Sequence, residues 1–229
     1  PISHILHNQG VNPGFVQFGN QALSRFQLII MQNGIERDKY FRTIAIANGT
    51  AALHAACAAA GIGVGDEVIT TPLTFAASAN CVLYCGGTTV FADIDKRTYN
   101  ISSDDIRRKI TQKTKAIIPV HLAGHPCDLD EIHKIAEEYH LTVIEDGAHA
   151  LGAVYRGAKI GALSDMTTFS FHPVKPITTG EGGMIVTNDQ TFYEKLCLFR
   201  SHGITRDEKQ MTHTEGGWFY QDRKSTRLN

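Results

Sequence analysis

Residues 166–187 decide the fold and read MTTFSFHPVKPITTGEGGMIVT. Two runs rich in β-branched and aromatic residues, 166–171 and 184–187, flank a connection rich in glycine and proline, which predicts two strands joined by a loop. The loop carries Lys175, an amine with unusually apolar neighbours: Phe169, Phe171, Pro173, Val174 and Pro176. Partial removal from water favours the neutral, nucleophilic amine, which can form a Schiff base.

On the N-terminal side of this stretch, β-rich runs alternate with helical patterns. Strands are predicted at 43–47, 67–71, 88–93, 116–120 and 142–145, and helices at 51–60, 74–85, 128–139 and, after the stretch, 190–199. This alternation predicts an α/β protein with three layers, in which helices cover both faces of a mostly parallel central sheet.

The charge balance argues against a polyanionic partner. Among 229 residues, 22 Lys plus Arg nearly cancel 23 Asp plus Glu, and the net charge is -1. Such a chain has no long-range field to attract nucleic acid or an anionic membrane, so a small-molecule partner is favoured. No run of about 18 apolar residues and no signal segment is found, which indicates a cytoplasmic protein.

The five cysteines show neither a disulfide framework nor a metal-binding pattern. They are odd in number and lack a CxxC pair, and we interpret them as reduced thiols. Cys81 and Cys85 lie one helical turn apart, but no second pair or suitably spaced histidine completes a site, so no metal is expected.

The two ends differ in character from the middle. Residues 1–40 show no sustained hydrophobic period and are poorly readable. Residues 222–229 are abruptly polar and resemble the translation of a sequencing-adapter read-through, so they are left out of the fold prediction. Residues 41–221 are expected to form one large domain.

Asn48-Gly49-Thr50-Ala51 follows the first predicted strand and begins a helix. Its backbone N–H groups, the Thr50 hydroxyl and the positive end of the helix dipole suit a phosphate group. An ordinary helix cap explains the same residues equally well. Ser170 is a second candidate phosphate-binding hydroxyl.

Asp146 follows an apolar strand, and a carboxylate at a strand end can hold a ring N–H in its protonated state. Pyridoxal phosphate needs such a partner to act as an electron sink. A helix-capping aspartate is the alternative.

Two further residues are candidates for contacts with the cofactor ring. His149 could hydrogen-bond the ring oxygen, and the alternative is a purely structural histidine. Phe75 could cover the ring face, and the alternative is a core aromatic.

Other cofactor motifs are missing from the sequence. It contains neither the GxxxxGK[ST] motif of nucleotide triphosphatases nor the GxSxG motif of hydrolases. Its glycines 61, 63 and 65 follow a predicted helix, whereas the glycines of a dinucleotide-binding fingerprint follow a strand and begin a helix. The most specific pattern is therefore a set of four features on successive strand ends. They are a phosphate-binding helix start, an aromatic ring cover, an acid for the ring nitrogen and a lysine.

The quoted residues resemble the sugar aminotransferases of the DegT/DnrJ type, which are fold-type I pyridoxal phosphate enzymes. The resemblance runs from about Ile44 to His202 and rests on six segments: 48–53 NGTAAL, 72–75 PLTF, 119–124 PVHLAG, 145–149 EDGAH, 170–175 SFHPVK and 200–203 RSHG. The resemblance implies that the large domain binds the cofactor and that the small C-terminal domain of the family is not part of these 229 residues.

The resemblance implies a role for each candidate residue. Lys175 would form the Schiff base with pyridoxal 5′-phosphate and move the proton between cofactor and substrate; related dehydratases carry histidine there, so a dehydratase is disfavoured. Asp146 would bind the pyridine nitrogen, Phe75 would stack on the ring and His149 would meet the ring hydroxyl. The phosphate would lie against Thr50, Ala51 and Ser170.

Within the family, residues 171–183 and 198–203 are most similar to the branch that makes pseudaminic acid. That similarity implies amination at C4 of a UDP-linked 4-keto-6-deoxy-N-acetylhexosamine, with glutamate as amino donor and a homodimeric enzyme. Another sugar aminotransferase acting at C3 or C4 stays open. The chain lacks the family's Gly-x-Asn-x-Arg segment beyond Tyr220 and is expected to be a fragment. A cofactor-binding core that cannot turn over, and an α/β binding module without cofactor, are the alternatives to an active aminotransferase.

Overall fold

The computed structural model describes residues 42–203, so the predictions on residues 1–40 and 222–229 lie outside the described residues. The strands are β1 Arg42–Ile46, β2 Glu67–Thr70, β3 Thr88–Phe91, β4 Thr114–Ile118, β5 Thr142–Asp146, β6 Val154–Tyr155, β7 Ala158–Lys159, β8 Met166–Ser170 and β9 Gly183–Thr187. The helices are α1 Gly49–Ala59, α2 Ala77–Tyr84, α3 Ser103–Lys109, α4 Leu129–Tyr139 and α5 Gln190–Arg200, with a 3-10 turn at Leu122–Gly124.

The seven longer strands form one sheet in the order β1-β9-β8-β5-β4-β2-β3. The pairs from β8 through β5, β4 and β2 to β3 are parallel, as predicted. The exception is β9, which runs antiparallel to both β1 and β8. It can do so because residues 171–182 contain no crossover helix, which a parallel return to the sheet would require.

Helices cover both faces of the sheet. One apolar cluster joins α1, α2 and α5 to strand residues such as Ile44, Val68, Ile144 and Ile185. Helix α1 approaches the sheet closely because its buried side chains are mostly alanine. On the opposite face, α4 buries Leu129, Ile132, Ile135 and Ala136, while its other positions are mostly charged. The three-layer arrangement predicted from the sequence is therefore confirmed.

Several predicted boundaries were wrong by two or three residues. Helix α2 begins at Ala77 and not at Thr74, because the Thr74 and Ser78 hydroxyls bond to each other at 2.7 Å and do not cap a longer helix. The third and fourth strands end at Phe91 and Ile118, two residues before their predicted ends. The short β6–β7 hairpin was not predicted, since two-residue strands leave no periodic signal.

The five cysteines are free thiols, as interpreted from the sequence. The Sγ atoms of Cys57 and Cys81 lie 3.5 Å apart, well beyond a disulfide bond of about 2 Å. Burial, helped by the neighbouring Cys81, raises the pKa of Cys85 to about 12, so this thiol stays protonated and unreactive. None of the helices within residues 42–203 has the length and apolar character needed to cross a bilayer.

Candidate active site

The predicted site residues collect at one edge of the sheet. The carboxyl ends of β1, β2, β5 and β8 meet there, because these strands all run in the same direction. Asn48 and Thr50 follow β1, Phe75 follows β2, Asp146 ends β5, and Ser170 ends β8 just before Lys175. Polar groups separated by more than 100 residues in sequence thereby become neighbours.

The start of α1 is capped by its own chain. The Asn48 side chain accepts a hydrogen bond from the Ala51 N–H at 2.8 Å. The cap residue is Asn48, and Thr50 lies in the first turn. Within residues 42–203, neither the Gly49 N–H nor the Thr50 N–H has an acceptor. Both groups lie at the N-terminus of α1, the positive end of the helix dipole.

Three chain segments meet closely at this helix start. A Cβ on Gly49 would stand 2.8 Å from Ser170 Cβ, and a Cβ on Gly183 would stand 2.2 Å from the Asn48 carbonyl oxygen. Only glycine leaves room for both contacts. The Ser170 hydroxyl, predicted for phosphate binding, is thus held against the N-terminus of α1 by steric fit.

Asp146 is 5% exposed, and its carboxylate and its backbone both form hydrogen bonds. Its Oδ2 accepts from the Ser78 hydroxyl at 2.7 Å and its Oδ1 from the Ala148 N–H at 3.1 Å. The backbone bonds to Pro119 and His121 tie this strand end to β4. No helix follows directly, so the alternative of a helix-capping aspartate is excluded.

A second buried carboxylate lies beside Asp146. Glu145 is fully buried and bonds to His121 Nε2 at 2.7 Å and to the Thr167 hydroxyl at 3.0 Å. The Cys127 backbone N–H donates to His121 Nδ1 at 3.1 Å, so Nδ1 is an acceptor and Nε2 carries the proton that Glu145 receives. A buried polar side chain needs such partners, and the bonds of Glu145 fix the strand end that carries Asp146.

Lys175 lies against His149, which brings together two residues predicted for the cofactor. Lys175 Nζ and His149 Nε2 are 2.8 Å apart. Where Lys175 Nζ donates, His149 Nε2 accepts and the imidazole proton lies on Nδ1. Partial burial, and then the charge of Lys175, lower the pKa of His149 below its usual 6.5, while Asp146 opposes the shift.

The apolar surroundings predicted for Lys175 exist only in part. Phe169 and Phe171 are buried beneath the loop, but Val174 is 76% exposed and Pro173 and Pro176 are exposed as well. The prolines shape a loop that turns away from the core, so sequence neighbours of the lysine do not enclose it. The lysine itself is half-buried.

Phe75 is 75% exposed, which excludes the alternative of a core aromatic. It stands at the entrance to α2, where its carbonyl accepts from the Ser78 N–H at 3.1 Å. A large apolar ring left in water at the edge that holds Asp146 and Lys175 is suited to cover a flat ligand.

Thr74 belongs to the quoted segment 72–75, but the sequence revealed neither its bond to Ser78 nor the bond of Ser78 to Asp146. The spacing of four residues places Thr74 and Ser78 together at a helix start, but Asp146 lies 68 residues beyond Ser78. No local pattern predicts so distant a contact. Among residues 42–203, no group of three or more His, Cys, Asp or Glu side chains is arranged to hold a metal ion.

The chain is similar to known proteins over most of residues 42–203. The chain is 55% identical over 161 residues to the GDP-perosamine synthase of Caulobacter vibrioides, covering 70% of this chain and 43% of that protein. An aminotransferase structure from Psychrobacter cryohalolentis superposes with a TM-score of 0.73 at 43% identity, covering 79% of this chain and 46% of that one. The structure of Helicobacter pylori PseC, an aminotransferase involved in the biosynthesis of pseudoaminic acid, superposes with a TM-score of 0.68 at 35% identity. The match covers 76% of this chain and 47% of PseC.

These structures confirm the predicted fold-type I α/β class. The chain spans about half the length of the curated relatives it matches. The family model matches residues 39–221, which include all the site residues described above. The chain therefore belongs to the DegT/DnrJ/EryC1/StrS aminotransferase family.

Proposed function

We propose that the protein transfers an amino group from an amino acid, glutamate, to the C4 keto group of a nucleotide-linked deoxysugar. The observation that carries the proposal is the meeting of Lys175, His149 and Asp146 at one sheet edge, with Lys175 Nζ 2.8 Å from His149 Nε2. The family membership and the sugar-related names of its relatives support the same reaction.

Pyridoxal 5′-phosphate is the cofactor of this family, and a solved relative carries its amino form. The residues present fit that group: a buried carboxylate, an exposed aromatic ring, a half-buried lysine and a helix start pressed against a serine hydroxyl. When bound, the cofactor supplies an aldehyde for amines and a pyridine ring that draws electrons from the reacting carbon.

The chain's own side chains would then have separate tasks. Asp146 would hold the ring N–H, and its carboxylate suits that role because it is buried and fixed by one donor on each oxygen. Lys175 Nζ would hold and move the proton at the reacting carbon. Neutral His149 would orient the lysine amine through the 2.8 Å contact and bond to the ring oxygen.

The phosphate end would use the start of α1. We assign it to the Thr50 hydroxyl, the Gly49 and Thr50 N–H groups and the Ser170 hydroxyl, since the Ala51 N–H already bonds to Asn48. Ala51 would contribute through its place in the first turn and not through its N–H. Phe75 would cover the ring and keep water from the reacting atoms.

The sugar and its nucleotide are the finer part of the proposal. The segments at 171–183 and 198–203 favour the pseudaminic acid branch and a UDP-linked substrate. Three GDP-perosamine synthases are 37% to 55% identical to the chain, and this likeness favours a GDP-linked sugar as the second candidate. To separate the two candidates, the protein is incubated with glutamate and either the UDP-linked or the GDP-linked 4-keto-6-deoxy sugar. The formation of 2-oxoglutarate is then measured with each sugar nucleotide.

We also propose a homodimer. Exposed apolar side chains such as Val174, at 76%, and Leu83, at 56%, are suited to an interface. Light scattering of the purified protein should give twice the chain mass, and a monomer at micromolar concentration would contradict the assignment.

The first test is cofactor binding. Mixing the protein with pyridoxal 5′-phosphate should produce a visible absorbance band that Lys175→Ala lacks and Lys159→Ala keeps. Because the chain spans about half of its relatives, turnover is measured both on the 229-residue chain and on the same chain joined to the C-terminal half of the 55% identical relative. Binding without turnover in both forms would support a cofactor-binding core that cannot turn over, and no binding would refute the proposal.

A further inference from the structure

We propose that Ser78 is a positioning residue for Asp146, supported in turn by Thr74, and that this pair of hydroxyls controls how firmly Asp146 holds a protonated ring nitrogen. The inference rests on the proposed function, because it takes Asp146 as the partner of the cofactor ring. The network consists of three side chains: Thr74 Oγ1 lies 2.7 Å from Ser78 Oγ, and Ser78 Oγ lies 2.7 Å from Asp146 Oδ2.

The direction of the hydrogen bonds follows from counting protons. Ser78 has one hydroxyl proton and three acceptors within reach: Asp146 Oδ2 and Thr74 Oγ1, both at 2.7 Å, and the Phe75 carbonyl at 3.3 Å. The carboxylate oxygen can only accept, whereas the Thr74 hydroxyl can also donate, so the Ser78 proton goes to Asp146. Thr74 then donates to Ser78, and both bonds point toward the carboxylate.

Burial keeps water away from the bond between Ser78 and Asp146. Ser78 is fully buried and Asp146 is 5% exposed, so water does not readily replace the serine proton. In such surroundings a donor to the carboxylate stabilises its ionised form and fixes the plane of its oxygens. The Ala148 N–H restrains Oδ1 from the other side at 3.1 Å.

The geometry also couples Asp146 to the ring cover. Ser78 lies in the first turn of α2, and its backbone N–H bonds to the Phe75 carbonyl at 3.1 Å. One helix start therefore holds both the exposed aromatic ring and the donor to the acid. Loss of the Ser78 hydroxyl affects the acid while leaving the backbone bond to Phe75 in place.

The test is the protonation of the cofactor ring in the loaded protein. Pyridoxal 5′-phosphate labelled with 15N in the ring is bound to the wild type, Ser78→Ala, Thr74→Val, Asp146→Asn and the control Thr70→Val. Thr70 offers a matched buried hydroxyl, which donates to the Ile118 carbonyl at 2.8 Å and does not touch Asp146. The readouts are the 15N chemical shift and the dissociation constant of the cofactor.

We expect the 15N shift to move toward the neutral ring in Asp146→Asn, less far in Ser78→Ala, and least in Thr74→Val. The dissociation constant should rise about tenfold in Ser78→Ala, since a hydrogen bond to a charged group is lost. Thr70→Val should leave both readouts at the wild-type values.

Each contrary outcome has one meaning. If the wild type binds no cofactor, or Asp146→Asn keeps the wild-type shift, the proposed function fails. If Asp146→Asn moves the shift and Ser78→Ala does not, the inference on Ser78 is overturned while the proposed function stands. Should Ser78→Ala fail to fold, Thr74→Val still removes a hydroxyl of the network, and a wild-type shift in that variant overturns the inference.

Discussion

Asp146 and Lys175 follow neighbouring strands, yet the two residues are held in different ways. Asp146 has donors on both oxygens, from Ser78 and Ala148, and its strand end is tied to β4. Lys175 lies in a largely exposed loop, and within residues 42–203 its amine contacts the side chain of His149 alone. The acid is thus preorganised by the core, whereas the lysine depends on one contact and on the anchoring of its loop.

The loop is anchored at its two ends. Phe171 N–H donates to the Gly182 carbonyl at 2.8 Å, and Thr178 and Thr179 donate to the Phe171 carbonyl. Gly183 then meets the Asn48 carbonyl directly. Fixed loop ends with an exposed middle suit the role proposed for Lys175, which is to contact a cofactor and a substrate in turn.

The largest effect should come from Lys175→Arg, which keeps the charge but removes the nucleophilic amine. Since the proton transfer at the reacting carbon is assigned to Lys175, turnover should fall by at least about 10³-fold. Steady-state rates measure the loss, and Lys159→Arg, on an exposed hairpin, should retain the wild-type rate. A Lys175→Arg variant with more than a tenth of wild-type activity would remove the lysine from the mechanism.

The next effect tests the anchoring of the loop. Gly183→Ala would place a methyl group 2.2 Å from the Asn48 carbonyl oxygen, so backbone has to move. Overpacking of this kind costs about 1–3 kcal/mol, and each kcal/mol lowers Tm by roughly 2–4 °C in a chain of this size.

Gly63→Ala is the matched control for that substitution. Its added Cβ would lie 4.0 Å from the nearest atom, Asp66 Oδ2, which is ordinary contact, so calorimetry should show almost no change. Equal melting temperatures for the two variants would mean that the loop is not anchored by close packing at Gly183.

A smaller effect concerns the contact between Lys175 and His149. Burial and the lysine charge lower the pKa of His149, so Lys175→Ala should raise the midpoint of its titration in NMR spectra toward 6.5. His54 is the internal control, because burial alone lowers its pKa and it should not respond. Equal shifts of both histidines, or none, would contradict the contact.

The same pKa direction has a consequence for stability. The unfolded chain binds protons at His149 and His54 more tightly than the folded one, so their contribution to stability is lost as pH falls through the unfolded value of 6.5. Above that value both histidines are neutral in both states, so stability no longer varies with pH through these two groups.

The sequence predicted the parts of the site that depend on local pattern. The strand ends carrying Thr50, Asp146 and Ser170 followed from β-rich runs and helix signals, and the mostly parallel sheet followed from their alternation. The sequence did not predict the Ser78–Asp146 bond or the antiparallel β9, because both depend on how distant segments meet. The exposure of Val174 was missed because proline directs the chain away from the core.

The central claim is that Lys175 is the residue that attaches the cofactor. The most direct measurement is to mix the protein with pyridoxal 5′-phosphate, reduce it with borohydride, digest it and locate the modified lysine by mass spectrometry. We predict the added pyridoxyl group on Lys175, in the peptide that contains residues 169–183. A group found on another lysine, or on none, would contradict the assignment.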